Sequence, residues 1–138
     1  MSELMRTINL STTRRSEMVD ITALVERDIL AMDMQDGIYM VFVPHTTAGI
    51  TINENADPSV QVDIQSVLSR LIPPGAGYSH LEGNADSHIK ASLMGSSVLV
   101  MVEGRRLQLG TWQGIFFCEF DGPRNRKVWI SLTPAALN

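Results

Sequence analysis

Beyond Gly95 the chain leaves room for little except β-structure. Three strand-like runs, Ser97–Glu103 (SVLVMVE), Arg106–Leu109 and Ile115–Asp121 (IFFCEFD), follow in quick succession, and Val128–Leu132 (VWISL) is the last. Gly104 marks the first turn, and Gly122-Pro123-Arg124-Asn125 marks another. Strands joined by connections this short pair antiparallel, so the C-terminal part predicts a meander.

The N-terminal part adds helices to that sheet. Leu4–Ser11 (LMRTINLS) alternates loosely and suits an edge strand, and Thr12–Ser16 (TTRRS) is a polar break. Asp20 offers an N-cap for a helix with Ile21, Leu24, Val25, Ile29 and Met32 on one face, which a turn at Asp36-Gly37 ends. Ile38–Val43 (IYMVFV) and Ser97–Met101 are apolar throughout, which predicts strands whose second face is covered by another layer or another subunit. Ile50-Thr51-Ile52 resumes the strand pattern. Asp57 followed by Pro58 starts a helix with the stripe Val60, Ile64, Val67, Leu68 and Leu71, which Pro73-Pro74-Gly75 stops. A third helix fits Ala85–Met94, between the turn-and-cap signal Gly83-Asn84 and Gly95. The class is α+β, a single domain over residues 1–138 built on antiparallel sheet.

Composition narrows the partners. At 138 residues there is one core's worth of chain. Cys118 stands alone, so no disulfide can form within the chain, and a reducing, cytoplasmic setting is expected. A net charge of −4 argues against nonspecific nucleic-acid binding. No apolar run reaches the length of a bilayer span, and no signal-peptide pattern opens the chain, so no membrane partner is expected.

The chemistry concentrates in His80–Gly95 (HLEGNADSHIKASLMG), which holds two of the three histidines beside Glu82 and Asp86. The third, His45, follows the apolar strand directly through Pro44. Three imidazoles at element boundaries could converge on a zinc ion, although the spacing matches no standard zinc motif and each could simply hydrogen-bond. Glu82 and Asp86 could orient imidazoles or serve as acid and base; Asp86 near a helix start could equally answer the helix dipole. Thr46 and Thr47 offer hydroxyls in a tight turn, as a phosphate contact or as ordinary turn chemistry. Asn53, Glu54, Asn55 and Asp57 could face the same region or form a solvated loop. Lys90, two residues past His88, points away from that imidazole on a helix. Arg124 is a candidate fork for a carboxylate or phosphate, and Trp112, bracketed by Gly110 and Gly114, could stack on a planar ligand or plug a subunit contact. Cys118, inside an apolar run, reads as an inert core thiol.

Three stretches, VPHTTAGITINENAD (Val43–Asp57), HLEGNADSHIKASLMG (His80–Gly95) and LGTWQGIFFCEFDGPRNR (Leu109–Arg126), resemble the YjbQ-like family, whose members carry the label secondary thiamine-phosphate synthase. The resemblance implies a β-sandwich α+β domain with two to three helices, assembled as a homotrimer with the histidine motifs near subunit interfaces. It also implies a divalent metal, zinc by its ligands, at His45, His80 and His88. The implied activity is a transferase reaction joining a pyrimidine diphosphate to a thiazole phosphate with release of pyrophosphate. Dedicated enzymes of that kind are (β/α)₈ barrels of roughly 200 residues or more, so this shorter chain would have reached the chemistry separately.

The expected function is therefore a trimeric metal-binding enzyme acting on a small phosphorylated or heterocyclic metabolite. Glu82 and Asp86 are its expected catalytic groups, and Thr46, Thr47, Asn84, Lys90, Trp112 and Arg124 its expected substrate contacts. A metal-dependent hydrolase of a phosphorylated metabolite and a non-catalytic metal- or metabolite-binding protein are the alternatives.

Overall fold

The computed structural model describes residues 5–32 and 36–135. Eight strands and three helices run in the order β1 (Arg6–Ser11), β2 (Glu17–Asp20), α1 (Thr22–Leu30), β3 (Gly37–Phe42), β4 (Ala48–Glu54), α2 (Pro58–Leu71), α3 (Ala85–Met94), β5 (Ser97–Glu103), β6 (Arg106–Leu107), β7 (Gln113–Glu119) and β8 (Asn125–Pro134). They form a five-stranded sheet, β1-β8-β3-β5-β6, and a three-stranded sheet, β2-β7-β4, with antiparallel pairing throughout. The α+β sandwich expected from the sequence is the fold observed. Leu4, placed by the sequence in the first strand, lies outside the described residues.

The core lies between the sheets. Tyr39 and Val41 of β3, Val100 and Val102 of β5, Val128, Ile130 and Leu132 of β8 meet Ile50, Ile115 and Phe117 of the smaller sheet, with Val25 and Ile29 of α1 among them. Strand β7 is buried from Gly114 to Glu119, as is Phe120 just beyond it, because it is covered on both sides. Its other face carries Phe116 and Cys118, which with Phe120 pack under Ala91 and Met94 of α3 and Leu68 of α2. Burial pushes the Cys118 thiol up to about 12, as suits an inert core sulfur.

The expected meander is not what forms. Only β5 and β6 are sequential neighbours, joined by Gly104-Arg105 with both residues at positive φ, the geometry of a two-residue type I′ hairpin. The doubly covered β7 needs a layer on each face, so the chain crosses to the other sheet after β6 and back again to insert β8 between β1 and β3. Of the two covers expected for the second face of β3 and β5, another layer is not found among the described residues. Ile38 faces Met101 and Met40 faces Leu99 across the pair, and all four lie exposed on the outer side of the larger sheet, Met101 at 67%.

Local signals fared differently from topology. Asp57 caps α2 by accepting from the Ser59 N–H, with Pro58 in the first turn, as expected. Asp20 does not occupy the N-cap of α1: that position is Ile21, while Asp20 accepts from the N–H and hydroxyl of Thr22. The residues Glu17–Asp20 are instead β2, a strand too short and polar to show a period. The α2 stripe is only half-buried at Val60, Ile64 and Leu68, and Val67 and Leu71 point to solvent.

Helix α3 lies close on β4 because Gly49 has no side chain. A Cβ there would sit 2.8 Å from the Gly95 carbonyl oxygen and 3.0 Å from Met94 Cβ. Gly49→Ala should therefore lower the urea midpoint, by about 1–3 kcal/mol of stability for an overpacked contact. An unchanged midpoint would mean that α3 is not held against the sheet in this way.

Candidate functional site

Three crossings between the sheets meet at one end of the sandwich: 12–16 from β1 to β2, 43–47 from β3 to β4, and 120–124 from β7 to β8. Their meeting point is Glu119, the last residue of β7, which lies opposite Glu17 of β2 and Ala48 of β4. Its carboxylate is fully buried and receives Arg126 through Nε (2.8 Å to Oε1) and Nη2. It also accepts from the Thr12 hydroxyl at 2.7 Å and from the N–H groups of Phe120 and Asp121. Burial would raise the Glu119 pKa, but Arg126 and these donors outweigh it and hold the carboxyl below its ordinary range. Arg126, itself buried, donates from Nη2 to the Thr47 hydroxyl at 2.9 Å.

The N-terminus of α3 is moored at the same end. Asn84 holds Asp121 through Nδ2 at 2.9 Å, and the Ser87 hydroxyl donates to the Phe120 carbonyl. Asp86 is completely buried and accepts from Lys90 Nζ at 3.0 Å and from Arg15 Nη2 at 3.2 Å. Burial opposes its ionisation, yet these two cations prevail and keep it a carboxylate. Arg124 is taken up by Asp121, donating to its carboxylate at 3.0 Å and to its backbone carbonyl at 2.7 Å.

With the crossings fixed, His45 and His88 line one cavity of about 470 Å³ together with Thr46, Ser92 and Ser96. A second cavity of the same size adjoins it on the other side of His45 and adds Thr47 and Arg126. His80 stands beside His88, their rings edge to face with centroids 5.1 Å apart, and its Nε2 lies 3.1 Å from Glu82 Oε1. His45 Nε2 accepts the Lys127 backbone N–H at 2.9 Å. Burial, then the nearby Arg126 charge, lower its pKa, so the ring is neutral near pH 7. A larger concavity of about 660 Å³, at Gly37, Ile38, Met101, Gln108 and Thr133, carries no histidine and belongs to the bare face of the larger sheet.

Several expected site residues stand elsewhere. Lys90 opens not toward His88 but into a separate space of about 290 Å³ beneath α2, and Asp86 beside it is a buried anchor with no path to a substrate proton. Trp112 precedes β7, whose seven residues separate it from Glu119 by roughly 20 Å of strand. Asn53, Glu54 and Asn55 lie at that far end too, where the Asn55 N–H meets the Trp112 carbonyl. Sequence reasoning passed over Glu119, Arg126 and Arg15. The available signal was a single acid inside the apolar run IFFCEF, a position that demands a buried partner.

The Nε2 lone pair of His45 is spent on Lys127, and among the described residues no three His, Cys, Asp or Glu side chains stand together as a ligand set. His88 joins the set in two ways, sharing a cavity with His45 and an edge-to-face ring contact with His80.

Residues 6–135 match the family described as UPF0047 protein YjbQ-like. Relatives include the UPF0047 protein YugU of Bacillus subtilis, 47% identical over 94% of this chain and 98% of that protein. A UPF0047 protein of Methanocaldococcus jannaschii is 53% identical over 89% of each chain. Among solved structures, an uncharacterised conserved protein of the YjbQ/UPF0047 family from Clostridium acetobutylicum superposes with a TM-score of 0.90 at 51% identity, over 93% of this chain and 99% of that one. A protein of unknown function from Sulfolobus solfataricus gives 0.89 at 33% identity, over 95% and 96%.

Removing Arg126 tests the centre of this arrangement. Arg126→Leu leaves Glu119 buried without its cation and should cost about 3–5 kcal/mol. Glu119, Asp86 and Asp121 all have folded pKa values below those of the unfolded chain, so the unfolded state takes up protons first as pH falls. Wild-type stability should thus be level above about pH 5 and fall through the carboxylate range, and Arg126→Leu should flatten part of that fall. Equilibrium unfolding across pH checks both, and a variant with wild-type stability and acid slope would contradict the pairing.

Proposed function

The chain belongs to the UPF0047 family of YjbQ-like proteins, and on that premise we propose that it is a small-metabolite enzyme whose phosphorylated substrate lies in the cleft between the Pro44–Thr47 loop and α3. The observation that carries this reading is the joining of His45 and His88 in one cavity with three hydroxyl groups, beside a buried guanidinium. Hydroxyls and an uncharged imidazole donate hydrogen bonds to phosphoryl oxygens, and the Arg126 guanidinium, held by Glu119, adds positive potential beside them. Asn84, outside the lining of both cavities, carries a spare acceptor at the start of α3. Its Nδ2 must face the Asp121 carboxylate, which fixes the amide's orientation and leaves Oδ1 buried without a partner among the described residues.

The acid/base pair of this proposal is His80 with Glu82, the carboxylate orienting the imidazole from the exposed rim of the cleft. The specific reaction that the family resemblance implies is condensation of a pyrimidine diphosphate with a thiazole phosphate, releasing pyrophosphate. A divalent ion belongs to the reading only at the meeting rings of His80 and His88, where zinc would supply Lewis acidity.

Assembly with further copies is part of the proposal, the homotrimer being the form that the resemblance implies. Two unlike apolar surfaces support it. One is the outer sheet face at Ile38, Met40, Leu99 and Met101; the other lies across the molecule at Val62, Val67 and Leu71 of α2 and Leu93 of α3. Unlike patches joined head to tail generate rings when the rotation closes. Leu81, at 94% exposure between His80 and Glu82, adds an exposed apolar side chain next to the histidine pair.

Product analysis on paired phosphorylated heterocycles tests the reaction. Pyrophosphate appearing with a joined product supports transfer, whereas inorganic phosphate alone means hydrolysis, and no turnover on any phosphorylated panel leaves a binding protein. Glu82→Gln should abolish turnover and leave any bound zinc in place; unchanged turnover removes the role given to Glu82. Leu99→Lys should convert the assembly to smaller species in analytical ultracentrifugation, and an unaltered sedimentation profile would remove the sheet face from the interface.

A further inference from the structure

Strand β8 outlasts the neighbour on one of its edges. Its pairing with β3 ends where Phe42 faces Trp129, yet β8 continues back to Asn125, still paired with β1 on the other edge. Past Phe42 the chain turns away through Pro44 toward the smaller sheet, so no backbone carbonyl of β3 meets the Lys127 N–H. The imidazole of His45 takes that place, its Nε2 accepting the bond at 2.9 Å. A side chain has been substituted for the next rung of a ladder.

The chemistry of the ring follows from that bond. A nitrogen that accepts an N–H carries a lone pair and no proton, so the proton of the neutral ring is on Nδ1. We infer that β8 holds His45 as the Nδ1–H tautomer, and that His45 serves the cleft as a neutral hydrogen-bond donor to a ligand phosphoryl oxygen, not as a metal ligand through Nε2. Metal coordination at Nε2 would strip Lys127 of its acceptor, and a doubly protonated ring would set one N–H against another. The Arg126 guanidinium beside it also disfavours a second positive charge. The ring lines both cavities that meet at the Pro44–Thr47 loop. A donor that stays uncharged can meet an oxygen gathering negative charge without surrendering its own proton.

The ligand half of this inference rests on the proposed cleft function; the tautomer does not, and is read without any ligand. Long-range proton–nitrogen correlation spectra of ¹⁵N-histidine-labelled protein give the tautomer of each ring. With three histidines in the chain, His80→Ala and His88→Ala complete the assignment. The expected result at neutral pH is a protonated Nδ1 and a pyridine-type Nε2 at His45, unaltered on addition of zinc even where His80 and His88 shift. An Nε2–H tautomer, or a zinc-induced shift at His45 Nε2, would overturn the assignment. Inorganic phosphate should then move the His45 Nδ1 proton downfield with the tautomer retained. No His45 response at saturating or millimolar phosphate would overturn the donor role while leaving the tautomer standing, which separates the two halves.

Discussion

Glu119 ends β7 in the interior of the protein, and the Arg126 guanidinium spans both of its carboxylate oxygens. An isolated charge in that place would be prohibitively unstable, so each partner requires the other. What the pair organises is chain direction. Thr12, Thr47 and the N–H groups of Phe120 and Asp121 bind to it, so that each of the three loops crossing between the sheets at this end is attached. Three reversals of the backbone are thereby fixed to one point, and the Pro44–Thr47 loop reaches the end of β8 where His45 can replace a missing rung.

The second anchor, Asp86 with Lys90 and Arg15, sets α3 against the same end and decides which of its side chains meet the cleft. Residues two apart on a helix lie on nearly opposite sides, so burying Lys90 under α2 turns His88 toward His45. The ionised side chains nearest the histidines are consequently occupied: Asp86, Asp121, Arg124 and Arg126 all have protein partners. The polar groups that line the cleft beside them are the hydroxyls of Thr46, Ser92 and Ser96 and the imidazoles of His45 and His88. Such a lining offers hydrogen bonds more than net charge.

Local features were legible in the sequence wherever one residue's chemistry decided them. Asp57-Pro58 specifies a helix start, Gly83-Asn84 and Gly95 delimit α3, and the IFFCEF run marks a strand, while its cover on both sides emerges only from the fold. The histidine-bearing stretches also stood out, and their gathering at one end of the sandwich bears on the site. Pairing order was not legible, since β7 and β8 look like successive members of a meander until the need to cover both faces of β7 is met by moving it to the other sheet. Asp86 and Lys90 looked like solution-facing chemistry because burial depends on which side of α3 meets the sheet. Arg126 and Glu119, seven positions apart, form a pair only after the turn at Gly122-Pro123 folds β8 back.

Amide hydrogen exchange in Glu119→Gln, compared with the native protein, tests the organising role of the buried pair most directly. The substitution keeps the size of the side chain and removes its charge. The account predicts faster exchange at Asp121 and Lys127, whose N–H groups depend on Glu119 and on the loop position of His45, with Val41 and Val100 in the paired β3 and β5 unchanged. Native protection at Asp121 and Lys127 would contradict it, because the crossings and His45 would then hold their places without the ion pair.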